Sequence, residues 1–341
     1  MKRTFYILFI FLGSGLAFYW SFLASSVLPT NLSNQVASVN SVDVVKDATP
    51  LPNFVVITFA GDIMMDRGVE ASVKKNFKGD FSQLFSNFQM FQNDDISFAN
   101  LEGPVSLLGY NVGSKYSFQM DPKVVLVLKG AGLDIVSFAN NHVGDYTVKA
   151  FVDTLNRLNS AGILYSGAGV NYIEATTPTI IEKNNIKSCF LAYSDVGPNW
   201  LKAKENDPGI LVASDPNLPT TISNAKKNCD VLVVSFHWGE EYKSHTKRQI
   251  KLAHQAIDNG ADIVVGAHPH VAQDTEFYKN KLIMYSLGNF IFDQSWSKDT
   301  MQGLVVQLKA YKNGEVSDIK KYTSKQNRFF QIDSVQEIVK N

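Results

Sequence analysis

The 341-residue chain has only two cysteines, Cys189 and Cys229, and no Cys-x-x-Cys spacing. This sets thiolate metal ligation and disulfide-dense scaffolds aside. Both lie in or beside strand-like runs, so two buried free thiols are expected, with a single disulfide as the alternative. The chain also lacks an excess of charge: 32 Lys+Arg balance 32 Asp+Glu. Nothing therefore points to a basic nucleic-acid binder. No repeat recurs at a solenoid or propeller period. Gly167-Ala168-Gly169 lacks the third glycine of a dinucleotide fingerprint, and no acid is placed for a ribose.

Charge is missing altogether from residues 5–28, which follow Lys2 and Arg3 and are rich in aromatics. About 20 apolar residues span a bilayer, whereas a cleavable signal core runs to roughly 7–15. The length favours a retained anchor over residues 1–28. Ala24-Ser25-Ser26 keeps cleavage, and hence secretion, as the alternative. Basic residues stay on the cytoplasmic side, so the remainder is expected to face outward. Residues 29–52 read as a polar linker. A domain is expected over 53–310, with 311–341 as a C-terminal strand or extension packed on it.

Hydrophobic residues make up 45% of the chain, enough for a substantial core. Short β-rich runs alternate with segments of helical period, which predicts an α/β fold. The strand candidates are 54–59, 96–99, 135–139, 231–236, 263–265 and 282–285. The helix candidates are 146–161 and 249–259, each ended by a glycine, Gly162 or Gly260. Residues 179–182 and 188–193 form a strand pair across Lys183-Asn184-Asn185. Residues 304–308 and 316–322 finish the chain as antiparallel strands.

Ligands in open α/β sheets gather beyond the carboxyl ends of strands. The six exits here carry Asp62, then Glu102, Asn141-His142, His237, His268-Pro269-His270, and Asn289. Each has an ordinary reading alone. Asp62 is a turn or cap residue, Glu102 a solvated loop acid, Asn141 an Asx turn, Asn289 a turn residue, and His237 a hydrogen-bonded histidine. Together they place four of six histidines and two carboxylates at strand exits. That set suits hydrolysis at one or two divalent ions with N/O ligands. Mn, Fe or Zn fits better than Mg. His245 and His254 fall outside the pattern.

The motifs Phe59-Ala60-Gly61-Asp62, Asn100-Leu101-Glu102-Gly103, Ala139-Asn140-Asn141-His142, His237-Trp238-Gly239-Glu240-Glu241, Gly266-Ala267-His268-Pro269-His270 and Tyr285-Ser286-Leu287-Gly288-Asn289-Phe290 resemble the bacterial capsule-synthesis family. This CapA/PgsA-like family is named for poly-γ-glutamate biosynthesis. It is in turn similar to the calcineurin-like metallophosphoesterases. The resemblance implies a two-sheet sandwich flanked by helices. It implies that Asp62 and His270 hold a first metal, that Glu102 bridges, and that Asn141, His237 and His268 complete a second site. His142 would act on the leaving oxygen or the transition state, oriented by Asp145.

The first motif departs from that pattern. It reads Asp62-Ile63-Met64 where the related phosphoesterases have Asp-x-His, so the first site is short of one imidazole unless another oxygen such as Asp66 serves. The resemblance implies a membrane-anchored hydrolase acting on an extracellular polymer or phosphoester substrate. A non-catalytic accessory subunit of a membrane polymer synthase is the competing expectation.

Overall fold

The structure, a computed structural model, describes residues 52–339. The expected membrane segment at 1–28 and nearly all of the linker lie outside the described residues. Among the described residues no helix is long and apolar enough to cross a membrane.

The chain opens with β1 (Phe54–Ile63), α1 (Arg67–Asn76), a 3-10 turn (Phe81–Phe85), α2 (Met90–Asn93), β2 (Ile96–Leu101), α3 (Lys123–Gly130), β3 (Ile135–Ser137), α4 (Thr147–Ala161), β4 (Leu164–Ser166) and β5 (Ala168–Gly169). There follow α5 (Tyr172–Thr176), β6 (Thr179–Lys183), β7 (Ile186–Ser194), β8 (Gly209–Ile210), α6 (Leu218–Lys226), β9 (Val231–His237), α7 (Lys247–Asp258) and β10 (Ile263–Ala267). The chain closes with β11 (Thr275–Tyr278), β12 (Lys281–Met284), β13 (Asn289–Ile291), β14 (Gln302–Tyr311), β15 (Val316–Gln326) and β16 (Ile332–Glu337).

Among the described residues there are a two-stranded sheet, β5-β8, and two mixed sheets. One is ordered β16-β15-β14-β1-β2-β3-β4, with β13 beside the end of β1. The other is ordered β11-β12-β10-β9-β7-β6. Alternation explains how they meet. Val55, Ile57 and Phe59 of β1 share one buried cluster with Phe190 of β7, Val231 and Val233 of β9, and Ile263 and Val265 of β10. Phe98 stacks on Phe190 across this interface at 5.8 Å.

Helices cover the outer faces. Phe151, Leu155 and Leu158 bury the apolar side of α4 beneath the first sheet's outer core. Leu252, Ala253, Ala256 and Ile257 do so for α7 on the other side. Gly162 ends α4 at φ 68°, a left-handed cap. The start of α7 is fixed by a reciprocal capping box between Thr246 and Gln249.

β14 runs through residue 310, and β15 and β16 continue the same sheet to Glu337. One expectation is corrected. The cysteines are not free thiols: Cys189 of β7 and Cys229 form a disulfide, with Cα atoms 5.8 Å apart. Cys189 stands opposite Leu232 in the β7–β9 pairing, which brings the segment just before β9 alongside it. Gly167-Ala168-Gly169 is a packing element. A Cβ on Gly167 would stand 2.2 Å from the Ala192 carbonyl oxygen.

Candidate metal centre

The ends of β1, β2, β9 and β10, and the loop after β3, converge on one buried cluster. The register between β1 and β2 slips between Phe59 and Asp62, and this bulge re-aims the strand end that carries Asp62. Gly61 has to be glycine because a Cβ there would meet the Gly288 carbonyl oxygen at 1.8 Å. Asp62 is fully buried. Its Oδ1 accepts from Asn100 Nδ2 at 2.8 Å, and its Oδ2 accepts the His268 backbone N–H at 3.3 Å. Asn140 in turn donates to the Leu101 carbonyl at 2.8 Å and to Asn100 Oδ1 at 3.3 Å. The tetrapeptide Ser-Phe-Ala-Asn, present at 97–100 and 137–140, thus ends both exits in asparagines that brace each other.

Glu102 is fully buried rather than a solvated loop acid. Its Oε1 lies 3.6 Å from His270 Nε2 and 3.8 Å from His142 Nε2. Burial drives its carboxyl well above the usual range, His270 pulls it back, and Asp62 adds to the rise. His270 answers to the same neighbours. Burial opposes its charge, but Glu102 and Asp62 facing the ring raise it to about 9. Its Nδ1 lies 3.0 Å from Asn289 Oδ1 and 3.4 Å from Asp62 Oδ2.

His237 and His268 behave oppositely. Burial and the neighbouring His268 hold His237 well below its ordinary value. Burial, then His270 and His142, bring His268 down to about 3. Neutral imidazoles are what metal ligation needs. The His237 Nε2 and Asn141 Oδ1 atoms are 2.7 Å apart.

The donor set fits a divalent cation on an observation independent of any resemblance. Glu102 Oε1, His237 Nδ1 and His268 Nδ1 are buried without a hydrogen-bond partner. Each such lone pair costs free energy unless a ligand or ion engages it. Among the described residues, two groups of potential ligand atoms lie close together: Asp62, Glu102 and His237, and Glu241, His268 and His270. This grouping differs from the expected division, which assigns His268 to one site and His270 to the other. It also brings in Glu241, which ends the His237–Glu241 motif and had no expected role.

Met64 is buried against Phe118 and Phe292, and its sulfur accepts the Asp66 backbone N–H at 3.1 Å. Asp66, whose oxygen the sequence offered in place of an imidazole, meets backbone donors. Its Oδ1 caps α1 through Arg67 N at 2.6 Å, and its Oδ2 accepts Gln119 N at 2.6 Å. Both carboxylate oxygens of Asp66 thus accept backbone N–H groups.

His142 stands at the edge of the cluster. Its Nδ1 is 2.7 Å from Asp145 Oδ2, which also accepts the Phe118 N–H at 3.0 Å. Ser114 Oγ donates to Asp145 Oδ1 at 3.1 Å. Asp145 thus fixes Nδ1 as the protonated nitrogen and leaves Nε2 facing the Glu102 side. Above the cluster a cavity of about 520 Å³ is lined by Arg67, Lys115, Phe118, His142, Tyr242 and His270, among others.

Asn289, expected to be a turn residue, is a brace. Besides meeting His270, its Nδ2 donates to Gln294 Oε1 at 3.0 Å and to the Thr300 carbonyl at 2.9 Å. His245 and His254 stay outside the cluster. His245 stacks on Tyr285, and His254 lies 2.9 Å from Glu276.

The sequence model described as "Bacterial capsule synthesis protein PGA_cap" matches residues 56–294, which contain this whole arrangement. The chain belongs to this family. It is 37% identical over 261 residues to the "PGA biosynthesis protein CapA" of Bacillus subtilis (strain 168), covering 75% of this chain and 68% of that one. It is 35% identical over 268 residues to the "Capsule biosynthesis protein CapA" of Bacillus anthracis, covering 76% and 64%. A "Probable polyglutamine synthesis accessory protein" of Mycobacterium tuberculosis is 28% identical over 58% of this chain and 56% of its own length. Among solved structures, the chain resembles the calcineurin-like phosphoesterase YfkN of Bacillus subtilis at 14% identity and a TM-score of 0.46, covering 83% of this chain and 93% of that one.

Proposed function

We propose that this capsule-synthesis family member is a metal-dependent hydrolase of the phosphoesterase type. In this reading it is held at the outer face of the cell membrane by residues 5–28 and acts in making, releasing or anchoring an extracellular polymer. The observation that carries the reading is the set of unpartnered buried atoms of Glu102, His237 and His268, converging beside an oriented His142–Asp145 pair.

Asp62, Glu102, Asn141, His237, Glu241, His268 and His270 would hold the ion or ions. A divalent ion supplies Lewis acidity toward an ester oxygen. The rest is work for the chain. Asn100 and the His268 backbone fix Asp62, and Asn289 fixes His270. His142, its Nδ1 held against Asp145, lines the cavity and would pass a proton to the leaving oxygen. The Cys189–Cys229 disulfide supports an outward location, since such bonds persist in oxidising compartments.

A second reading, a non-catalytic accessory subunit of a membrane polymer synthase, draws on Met64. Its sulfur accepts a backbone N–H at the position where the resemblance implies an imidazole. Metal content and cleavage of a generic phosphodiester by the purified chain, wild type and His142→Ala, separate the two. The hydrolase reading expects the variant to keep its metal and lose about 10²–10⁴-fold in turnover. Undiminished polymer production in cells carrying His142→Ala would favour the accessory role.

A further inference from the structure

The cavity above the candidate ligands holds an arginine that the hydrolytic reading leaves unused. Arg67 takes a left-handed φ of 50°, a conformation unfavourable for any residue with a side chain. Asp293 grips its guanidinium: Arg67 Nε donates to Oδ2 at 3.0 Å, and Nη2 donates to Oδ1. The same Oδ2 accepts the Gly68 N–H at 3.0 Å. A Cβ on Gly68 would stand 2.9 Å from Asp293 Cβ, so the glycine is what lets the carboxylate approach. On its other side the guanidinium carbon lies 4.7 Å from the Phe118 ring centroid. That ring is 4.1 Å from the His142 ring, which puts Arg67 one aromatic ring away from the proposed proton donor.

A guanidinium has five N–H groups in a rigid fork. Two of them go to Asp293. The side chain remains 32% exposed and lines the cavity together with His142 and His270. Lys115 lines the same cavity, its ammonium 5.1 Å from the Tyr116 ring centroid. Divalent ions would be largely balanced by Asp62, Glu102 and Glu241, and Asp293 balances Arg67, so Arg67 brings its remaining N–H donors to this wall and Lys115 its positive charge. An arginine braced by a carboxylate and an aromatic face has already lost the side-chain freedom that binding an anion would otherwise cost.

We propose that Arg67, braced by Asp293 and Phe118 and assisted by Lys115, binds a second oxyanion of the substrate, a carboxylate or phosphate neighbouring the ester held at the ligand cluster. The proposal rests on the hydrolytic reading for the ester that is cleaved, though not for the binding of the anion itself.

Two measurements on the purified full chain and its Arg67→Gln and Asp293→Asn variants test it. Calorimetric titration of Mn-loaded and chelated protein uses glutarate, glycerol 3-phosphate and glycerol as probes. Arg67→Gln should weaken one or both anions by about 10-fold or more and leave glycerol unaffected. Whichever anion loses more is the class the site prefers. In Asp293→Asn the lost brace and the lost competing carboxylate oppose each other, so affinity for the same anion should change by a smaller factor than in Arg67→Gln. In parallel, the ratio of kcat/KM for a carboxylate-bearing p-nitrophenyl phosphodiester to that for bis(p-nitrophenyl) phosphate should fall toward one in Arg67→Gln.

If Arg67→Gln lowers the Tm but leaves both anion affinities and this ratio at wild-type values, Arg67 is only a structural brace and the proposal is overturned. Should the chain cleave neither ester while Arg67→Gln still loses the anions, the hydrolytic reading fails and the clamp stands. Cleavage of both esters with an unchanged ratio and unchanged binding leaves hydrolysis standing without the clamp.

Discussion

Glu102→Gln is the perturbation that best separates a metal ligand from a structural acid. The carboxylate is fully buried, its Oε1 has no hydrogen-bond partner, and His270 and His142 face it at 3.6 and 3.8 Å. Glutamine keeps the shape and removes the charge. In metal-free protein two consequences oppose each other. The cost of burying a charge disappears, while His270 loses one facing carboxylate and keeps Asp62 at 3.4 Å. The net change should stay within about 1 kcal/mol.

With metal the outcome differs sharply. An ion supplied at about 100 times its Kd stabilises the wild type by about 2.7 kcal/mol. At roughly 2–4 °C per kcal/mol for a domain of this size, Tm should rise by about 5–10 °C. If losing the shared anionic ligand weakens binding about 100-fold, the same metal concentration leaves only about 0.4 kcal/mol, a shift of about 1 °C. Differential scanning calorimetry of chelated and Mn-replete samples measures both. A full metal-dependent rise in Glu102→Gln would show that Glu102 is not a ligand. A fall of more than about 3 kcal/mol in the metal-free variant would show that it is a structural partner of His270 instead.

Replacing Cys189 and Cys229 by Ala opens a closure spanning 40 residues, for which chain entropy gives about 4 kcal/mol. Tm should fall by about 8–16 °C, and a fall under about 2 °C would mean that the bond does not constrain the unfolded chain. The pH dependence of metal-free Tm should show a maximum near pH 6.5, read from these imidazoles. His268 at about 3 and His237 well below its ordinary value stay neutral when folded but take up protons when unfolded, so stability falls as pH drops below about 6.5. For His268 alone the loss by pH 4.5 is roughly 3 kcal/mol. His270, raised to about 9, contributes stability that is complete below about 6.5 and is lost as pH rises through about 9. A monotonic Tm profile between about pH 4.5 and 9.5 would refute this assignment of charges.

What could be read from the sequence, and what could not, follows from the range of the interaction involved. The strand exits were readable because β-branched runs ending in Asp62, His237 and His268 are local patterns, and parallel strands deliver their carboxyl ends to one edge. The cap at Asp66 went unread although it is local: no helix was expected after it, and its Oδ1 accepts the Arg67 N–H at the start of α1. The disulfide was not local, because Cys189 and Cys229 meet only once β7 pairs with β9. Glu241 was hidden for a related reason. Two adjacent acids, Glu240 and Glu241, follow Gly239, and the direction each takes depends on a turn in which Gly239 has φ 88° and Tyr242 φ 63°.

Asn289 shows how a local reading can be correct and incomplete together. Gly288 does turn, with φ 69°, as a Gly-Asn pair suggests. That turn lies where β13 runs beside the end of β1, with Asn289 opposite Asp62 in the pairing. The turn residue therefore becomes the brace of His270, and its second hydrogen-bonding arm reaches Gln294, whose Nε2 donates to the Tyr242 hydroxyl at 3.1 Å. His270, a candidate ligand deep in the cluster, is thus tied through two amides to an aromatic at the mouth of the cavity. The side chains that set the geometry of this centre are mostly amides, which carry no signature of ligation in a sequence and acquire one only from the carboxylates and imidazoles that the fold places against them.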